Sequence, residues 1–505
     1  MKRGRGGGAR SVLPGVDEGD ARRSARDRNA CEAAEAYRLR RIHHWDEIAR
    51  RARSVRRGPA RAYHEHLERI YRFNVPRGAR VLELGCGNGD LLAAVEPSLG
   101  VGVDFSGETV RRARARHPEL TFVEADAHEL PALAQTFDTI LLSDLVNDLW
   151  DVQGFLLGLG PVTHRRTRVV LNVHSRLWEL PLVLAQRLGL AQRTLEQNWL
   201  TIEDLRNLLE LSGFETIRCW QEVLLPFRVA LLTPLCNRFL ARLWGFRHLA
   251  LANFMVARPA PRPLANEPVV SVVVPARNEA GNIPEILDRV PEMGAGTEIV
   301  FVEGHSTDGT WEAIETEIAS RPGIDARALR QTGEGKGDAV RFGFEAARGD
   351  VLMILDADLT VPPEDLPRFY EAIRSGKGEF VNGVRLVYPM ERRAMRFLNL
   401  LGNKFFSLAF SWLLGQPIKD TLCGTKALHA ADYQLLARGR SYFGDFDPFG
   451  DFDLLFGAAK LNLDLVEVPI RYRERTYGST NIQRWRHGWL LLVMCFFAAG
   501  RIRFI

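Results

Sequence analysis

Short apolar runs separated by longer, helically spaced stretches organise the chain from about residue 80 onward. Runs at 81–84, 100–103, 121–123, 138–142 and 168–173 have the length and the Val/Ile/Leu content of buried strands, with helical stretches between them. That alternation predicts a parallel sheet wound by helices. Past residue 268 the rhythm returns with runs at 269–274, 298–302 and 351–355, so the second half also reads as α/β. No fixed-period repeat relates the halves, which predicts two unrelated nucleotide-binding folds and not a duplication. A chain of 505 residues is too long for one ordinary core in any case.

The stretch Ala257–Pro268 holds four prolines, so it cannot continue a helix or a central strand and predicts a linker over 257–268. It divides a domain at 46–256 from one at 269–487, the latter followed by an apolar tail at 488–505. The formal charge is only +5, yet residues 1–62 hold 17 Lys/Arg against 8 Asp/Glu. The arm opens MKRGRGGGAR, too glycine-rich and like-charged to bury an apolar face, so residues 1–45 are expected to be a basic arm, disordered over roughly the first 30. No aromatic residues interleave the early arginines, and no nucleic-acid partner is expected. The arm also lacks the apolar core of a secretory signal. Six cysteines, at 31, 86, 219, 236, 423 and 495, show no zinc or disulfide spacing, which predicts reduced thiols in a cytoplasmic setting.

No uncharged apolar run reaches the roughly 18–20 residues needed to span a bilayer. The longest, Phe405–Ile418 and Gly488–Gly500, are flanked by Arg, Lys or His, which suits helices lying in a membrane interface. The stretch Arg392–Leu414 adds a basic start to an apolar face of Phe397, Leu400, Leu401, Phe405, Leu408 and Trp412. Ordinary buried helices are the alternative; the favoured expectation is peripheral attachment to the cytoplasmic face of a membrane.

In the first domain, Glu83-Leu-Gly85-Cys-Gly87-Asn-Gly89 follows a strand directly, and its alternate glycines let the backbone pass close to a ligand. Dinucleotide folds space such glycines differently. Asp104 closes the next strand, where a carboxylate can accept both hydroxyls of a ribose. Asp126, followed by Ala127, closes the third and is placed to bind an adenine amino group. As an ordered set these motifs resemble the class I S-adenosylmethionine-dependent methyltransferases over about residues 60–257. The resemblance implies a Rossmann-like fold with Gly85, Gly87 and Gly89 around the methionine and ribose, Asp104 on the ribose and Asp126 near the adenine. Glu83 and Ala127 complete the expected cofactor-binding set, and Asp138 is expected to open the fourth strand. A nicotinamide-type Rossmann domain and a fold that has lost its cofactor are the alternatives. For the methyl acceptor there is no Asn-Pro-Pro-Tyr type loop, and Cys86 lies inside the glycine loop. His174 and Glu179, after the fifth strand, are candidate general bases.

The second domain delivers four strand-tip motifs in order. Val270 to Pro275, Ala276, Asn278 and Glu279 is a buried strand ending in a polar loop able to hold a base and ribose. Ile299 to Glu303 and Asp308 brings acids to a second tip, and Gly333-Glu-Gly-Lys336-Gly337 is flexible and cationic, fit to approach a diphosphate. Val351 to Leu355 then ends in Asp356-Ala357-Asp358. Together residues 269 to about 485 resemble family 2 glycosyltransferases of the GT-A fold, and among these the polyprenyl- and dolichyl-phosphate hexosyltransferases. Asp420 to Lys426 looks like the glucosyl branch's loop, Asn382 to Arg385 like the loop whose arginine contacts phosphate, and Arg475 to Ser479 like a carboxyl-terminal phosphate-binding segment. The chain departs from the family where Glu303-Gly304-His305 replaces Asp-Asp-Gly and where Thr480-Asn481 replaces a lysine.

The resemblance implies transfer of a hexose from a nucleotide sugar of UDP-glucose or GDP-mannose type to a polyprenyl phosphate, with inversion. Asp356 and Asp358 would hold Mg2+ or Mn2+, hard ions suited to oxygen ligands, against the leaving diphosphate. Lys336 and Arg385 would add charge-assisted contacts to the diphosphate or the acceptor phosphate, with Lys426, Arg475 and Ser479 on the acceptor side. A phosphate acceptor is already ionised and needs no strong base. A hydroxyl acceptor would need one, and Asp451 or Asp453 is the candidate, although either can equally be a helix cap. The rival reading is a transferase acting on a polysaccharide or other hydroxyl, with the amino-terminal domain a non-catalytic binding module.

Overall fold

The computed structural model describes residues 18–51, 59–130, 133–189, 193–243, 245–385, 387, 397–442, 452–473, 475, 477 and 484–504. Two seven-stranded sheets carry the fold. The first contains β1 (Arg80–Leu84), β2 (Leu99–Asp104), β3 (Thr121–Glu124), β4 (Thr139–Ser143), β5 (Arg168–His174), β6 (Phe214–Glu222) and β7 (Ala252–Pro259), in the order β3-β2-β1-β4-β5-β7-β6. The second contains β8 (Val270–Ala276), β9 (Thr297–Glu303), β10 (Ala326–Arg330), β11 (Val351–Ile354), β12 (Phe380–Val384), β13 (Lys426–His429) and β14 (Leu465–Pro469), in the order β10-β9-β8-β11-β13-β12-β14.

Strands β1 to β5 run parallel, as do β8 to β11; β7 and β13 run antiparallel to their neighbours. Strand order reverses between β1 and β4 and again between β8 and β11. In open α/β sheets such a switch point leaves a crevice at the carboxyl ends of the strands, and both glycine- and carboxylate-bearing tips open there. The expected strands are all present. Pairing within each sheet adds β6, β7, β10, β12, β13 and β14, which local pattern did not predict; β12 reads Phe-Val-Asn-Gly-Val and is wholly buried despite its weak strand formers.

Two expected boundaries are corrected. Glu18–Arg51 forms one helix, α1, where a largely disordered arm over 1–45 was expected. Its polar sequence is offset by specific docking: Tyr37 Oη and Arg41 Nε donate to the Asp148 carbonyl at 3.3 and 2.9 Å, and Trp45 Nε1 to the Asp148 carboxylate at 3.1 Å. The expected linker begins later than 257, because β7 runs on to Pro259, paired with Phe214 at the last position of the strand. Beyond it the chain is strapped to both halves: Ala260 N donates to Gly213 O, and Leu264 N to Arg374 O, each at 2.8 Å.

A buried polar network joins the sheets. Arg168, first residue of β5, donates Nη2 to Glu379 at 2.6 Å and Nε to the Asn462 carbonyl at 2.8 Å. Arg258 of β7 reaches Asp464 at 2.9 Å and Glu215 at 2.8 Å. Glu379 and Asp464 immediately precede β12 and β14, so the sheets meet at their amino ends. Helix α2 (Pro59–Asn74) reinforces the joint: Phe73 sits in the second half's core, and Lys460 Nζ donates to its carbonyl. Burial alone would raise the Glu379 carboxyl, but Arg168 and Arg258 together hold it below the usual range. Its stabilisation is therefore present above the ordinary carboxylate pKa and lost on acidification. Asp464 behaves oppositely: burial pushes it up to about 6, so it imposes a cost that grows as pH rises towards that value.

Glu379→Gln would leave two buried guanidinium groups under-neutralised and is expected to destabilise the folded chain by about 3–5 kcal/mol in urea unfolding near pH 7. A loss below about 1 kcal/mol would show that the network does not hold the halves together.

Candidate functional site

At the first switch point Gly85, Gly87 and Gly89 all adopt left-handed φ, of 70°, 52° and 75°. The loop is tied to β2 by Gly85 N and Cys86 N, which donate to Val103 O at 2.8 and 3.1 Å. Asp104 accepts Gly87 N at 3.0 Å and Ser106 N at 2.9 Å. Burial pushes its carboxyl up, against those two backbone donors. Asp126 accepts from the backbone and ring of His128, both at 2.9 Å; that ring holds its carboxyl low. Glu83 and Ala127 are both buried. Asp138 directly precedes β4 and bonds Arg80, so it secures the opposite end of the sheet. Burial drives the Cys86 thiol far above its usual pKa, in keeping with a structural role.

Sequence reasoning missed two parts of this site. The first is α1: Arg38, Ile42 and Asp46 wall a cavity of about 690 Å3 with Phe105, Glu124 and Asp126. The second is Asp144, held at φ 54° just past β4. It accepts Tyr63 Oη at 3.0 Å and lies 3.6 Å from His174 Nε2. A strand tip followed by Asp was the available signal; the partner tyrosine from α2 had none. Glu179, the other candidate base, instead opens the helix Glu179–Arg187.

At the second switch point the Asp356 carboxylate meets Lys336 Nζ at 2.7 Å, and Arg475 Nη2 donates to Asp358 at 2.6 Å. Arg475 also bonds Glu279 at 3.1 Å. Burial opposes ionisation of Asp356, yet Lys336, with Lys426 and Arg385 adding to the field, holds its carboxyl below the usual range. Burial pushes Glu279 up to about 7 against the pull of Arg475. Pro275 and Ala276 end β8, and Asn278 follows at φ 57°, its side chain accepting Thr307 N at 2.8 Å. Glu303 caps Ser306 N, and Asp308 accepts Thr310 N at 3.1 Å. Ala357 is buried between the two aspartates.

Two residues expected at the acceptor are held by partners within the protein. Arg385 is taken up by Asp420, donating Nε and Nη2 at 2.7 and 2.8 Å, with Asp420 buried and Arg385 partly so. Both of these donors brace the Asp420 loop. Lys426 is fully buried and donates to the Cys423 carbonyl. Asp453 is also buried, 3.3 Å from Arg440. Asp451 and Ser479 lie outside the described residues. Gly424, by contrast, was overlooked: a Cβ there would collide with the Asp356 carboxylate and the Lys336 ammonium.

Asp356 and Asp358 offer hard oxygen donors at one strand tip, the kind of set that holds Mg2+ or Mn2+ once substrate phosphates complete the shell. Among the described residues no group of three or more His, Cys, Asp or Glu side chains forms a ready metal cluster.

A glycine loop tied to a strand-tip carboxylate, and a carboxylate pair facing two cations, mark two α/β transferase folds in one chain. Family models agree: "Methyltransferase domain" matches residues 81–157 and "Glycosyl transferase family 2" matches 271–431. The chain therefore joins a methyltransferase domain to a glycosyl transferase family 2 domain. It is 41% identical to a dolichol-phosphate mannosyltransferase of Pyrococcus furiosus over 21% of this chain and 30% of that one. It is 30% identical to an undecaprenyl-phosphate 4-deoxy-4-formamido-L-arabinose transferase of Aeromonas hydrophila over 42% of this chain and 62% of that one. With an undecaprenyl-phosphate mannosyltransferase of Micrococcus luteus it shares 28% identity over 42% of this chain and 87% of that one. The first two of these relatives are spanned over less than two thirds of their length.

Gly424→Ala is expected to push Asp356 and Lys336 apart. Calorimetry with nucleoside diphosphate present should then show Mn2+ affinity reduced at least about tenfold, or about 1.4 kcal/mol. An unchanged affinity would mean that the glycine serves the loop alone.

Proposed function

We propose that the second domain moves a hexose from a nucleotide sugar to a polyprenyl phosphate with inversion, and that the first transfers a methyl group from S-adenosylmethionine. The observation that carries the sugar-transfer reading is the pairing of both Asp356 and Asp358 with cations at a switch-point crevice. Relatives whose names specify undecaprenyl or dolichol phosphate favour the lipid acceptor.

In this reading Asp356 and Asp358 hold Mg2+ or Mn2+, which neutralises charge on the departing diphosphate. Lys336 then turns from Asp356 towards the phosphates, and Arg475 towards the anionic acceptor. Pro275, Ala276, Asn278, Glu279, Glu303 and Asp308 surround the nucleoside. Glu303 and His305 stand where relatives of this type carry aspartate and glycine, and they set the base preference. In the methyltransferase domain the glycine loop and Asp104 orient the cofactor, with Glu83, Asp126 and Ala127 behind the adenine.

Peripheral attachment to the cytoplasmic face of a membrane accompanies this activity. No helix among the described residues is long and apolar enough to cross a membrane. Helix Phe397–Leu414 buries Phe406, Phe410 and Leu413 in the core and exposes Phe405 and Leu408; helix Arg484–Ala498 exposes Trp489 and Phe496. Both thus offer an apolar outer side beside the transferase core. Trp412, expected on that side, packs on Phe504.

Incubation with radiolabelled nucleotide sugars, polyprenyl phosphate and Mn2+ or Mg2+ is expected to carry label into the organic phase for one donor. Asp356→Asn should reduce that transfer at least about a hundredfold, or about 2.7 kcal/mol. Label confined to water for every donor would count against a lipid acceptor. Loss of activity on Asp451→Asn with the fold retained would favour the hydroxyl-acceptor rival, since a phosphate acceptor needs no base.

A further inference from the structure

The methyltransferase half carries a surface and a cavity that sugar transfer does not use. Residues 223–249 contain no acidic residue and four arginines, of which Arg228 and Arg242 pair with Glu65 and Glu222. Nine large apolar side chains of this segment are exposed, Leu231 to 88%, with Phe227, Leu235, Phe239, Phe246 and Leu249 among them. Apolar exposure of that density marks an interaction surface. Arg238 donates Nε to the Phe504 carbonyl at 2.8 Å and Arg247 to His248 at 3.4 Å, so neither is matched to a carboxylate among the described residues. Unopposed cations interleaved with apolar side chains complement the headgroup boundary of an anionic bilayer. The segment also continues into the other half: Phe239 and Phe504 lie 5.2 Å apart, and Trp412 of the helix that exposes Phe405 and Leu408 donates to the Arg242 carbonyl at 3.2 Å.

Beneath this segment lies a cavity of about 800 Å3, walled by Tyr63 and His66 of α2 and by Leu225, Val229 and Leu231. Tyr63 is the residue that bonds Asp144. Leu145, next in the chain after Asp144, lies 3.0 Å from where a Gly85 Cβ would stand, so Tyr63 links the cavity to the cofactor loop through Asp144 and Leu145. Behind the Tyr63 wall, its ring 6.3 Å from that of Tyr63, His174 has Nδ1 buried with no hydrogen-bond partner among the described residues, while its Nε2 faces Asp144. A lone pair left open on one nitrogen, with a carboxylate behind the other, is the arrangement of an oriented general base.

We propose that residues 223–249 dock the methyltransferase half on an anionic lipid bilayer, and that the cavity takes an amphiphilic methyl acceptor drawn from it, a hydroxyl-bearing lipid presented to Tyr63 with His174 behind it. The chemistry rests on the methyltransferase reading; the docking does not. In the step the acceptor oxygen forms a bond to the methyl carbon as the sulfonium–methyl bond breaks. The sulfonium leaves as a neutral thioether, and the hydroxyl proton passes to His174.

The full chain is sedimented with phosphatidylcholine vesicles and with vesicles containing one quarter phosphatidylglycerol. The wild type should bind the anionic vesicles. Leu232→Glu/Leu235→Glu/Phe246→Glu should bind them at least about tenfold less while keeping its S-adenosylmethionine affinity in calorimetry. Arg238→Glu/Arg247→Glu, which spares the apolar surface, should lose the preference for anionic over neutral vesicles. With methyl-labelled cofactor and vesicles of total bacterial lipid, label should enter the organic phase, and His174→Gln should lower this at least about a hundredfold at unchanged cofactor affinity. Vesicle binding by the triple variant equal to wild type overturns the docking surface, as does a wild type that stays in the supernatant or self-associates without lipid. A wild type that binds cofactor and vesicles yet labels no lipid overturns the acceptor. Failure to bind the cofactor at all instead removes the methyltransferase reading, and the acceptor with it, while the sedimentation result stands.

Discussion

Arg168 and Arg258 enter from one sheet and Glu379 and Asp464 from the other, all largely withdrawn from water, where a charge is tolerated only with its partners in place. That requirement fixes the relative placement of the halves more strictly than an apolar contact would. Geometry, more than stability, is what the network supplies. The strap from Ala260 to Leu264 and the anchoring of α2 by Lys460 follow the same joint, so two domains with separate cores behave as one body.

At the far ends of the same strands each half solves a similar problem. An acidic tip must stay ionised and correctly aimed while partly buried. In the second domain the solution is ionic, with Lys336 and Arg475 each facing one aspartate, and Gly424 kept free of a side chain so that they can approach. In the first it is made by backbone: Asp104 is gripped by the amides of Gly87 and Ser106, which only a loop with left-handed glycines can present. The ionic version leaves mobile cations ready to change partners when phosphates arrive. The backbone version leaves a fixed cradle.

The parts of this arrangement that were legible in the sequence are those that local pattern determines. Runs such as Val351 to Ile354, buried throughout, announce a central strand, and an aspartate after such a run announces a tip. What escaped depends on distant partners. Helix α1 looked like a solvated arm because its stabilising contacts, to Asp148 and Ser106, lie far along the chain. The pairing of Arg385 with Asp420 escaped as well, because nothing in Asn382-Gly-Val-Arg385 reveals that Asp420 will accept from its guanidinium twice. Tyr63 gave no sign of its role, since a tyrosine in an amphipathic helix reads as packing until the helix is seen to end over Asp144.

Joining the sheets at their amino ends also governs traffic. The path from one carboxyl edge to the other runs the length of β5 and then of β12, on the order of 40 Å through packed interior. A molecule modified at one edge cannot be handed across internally and must depart before it can be taken up again. On the proposed membrane surface, confinement to two dimensions would take the place of a tunnel between the two sites. Under the proposed membrane attachment, fusion in one chain keeps both catalysts in the same patch of membrane in fixed proportion, with each free to turn over at its own pace.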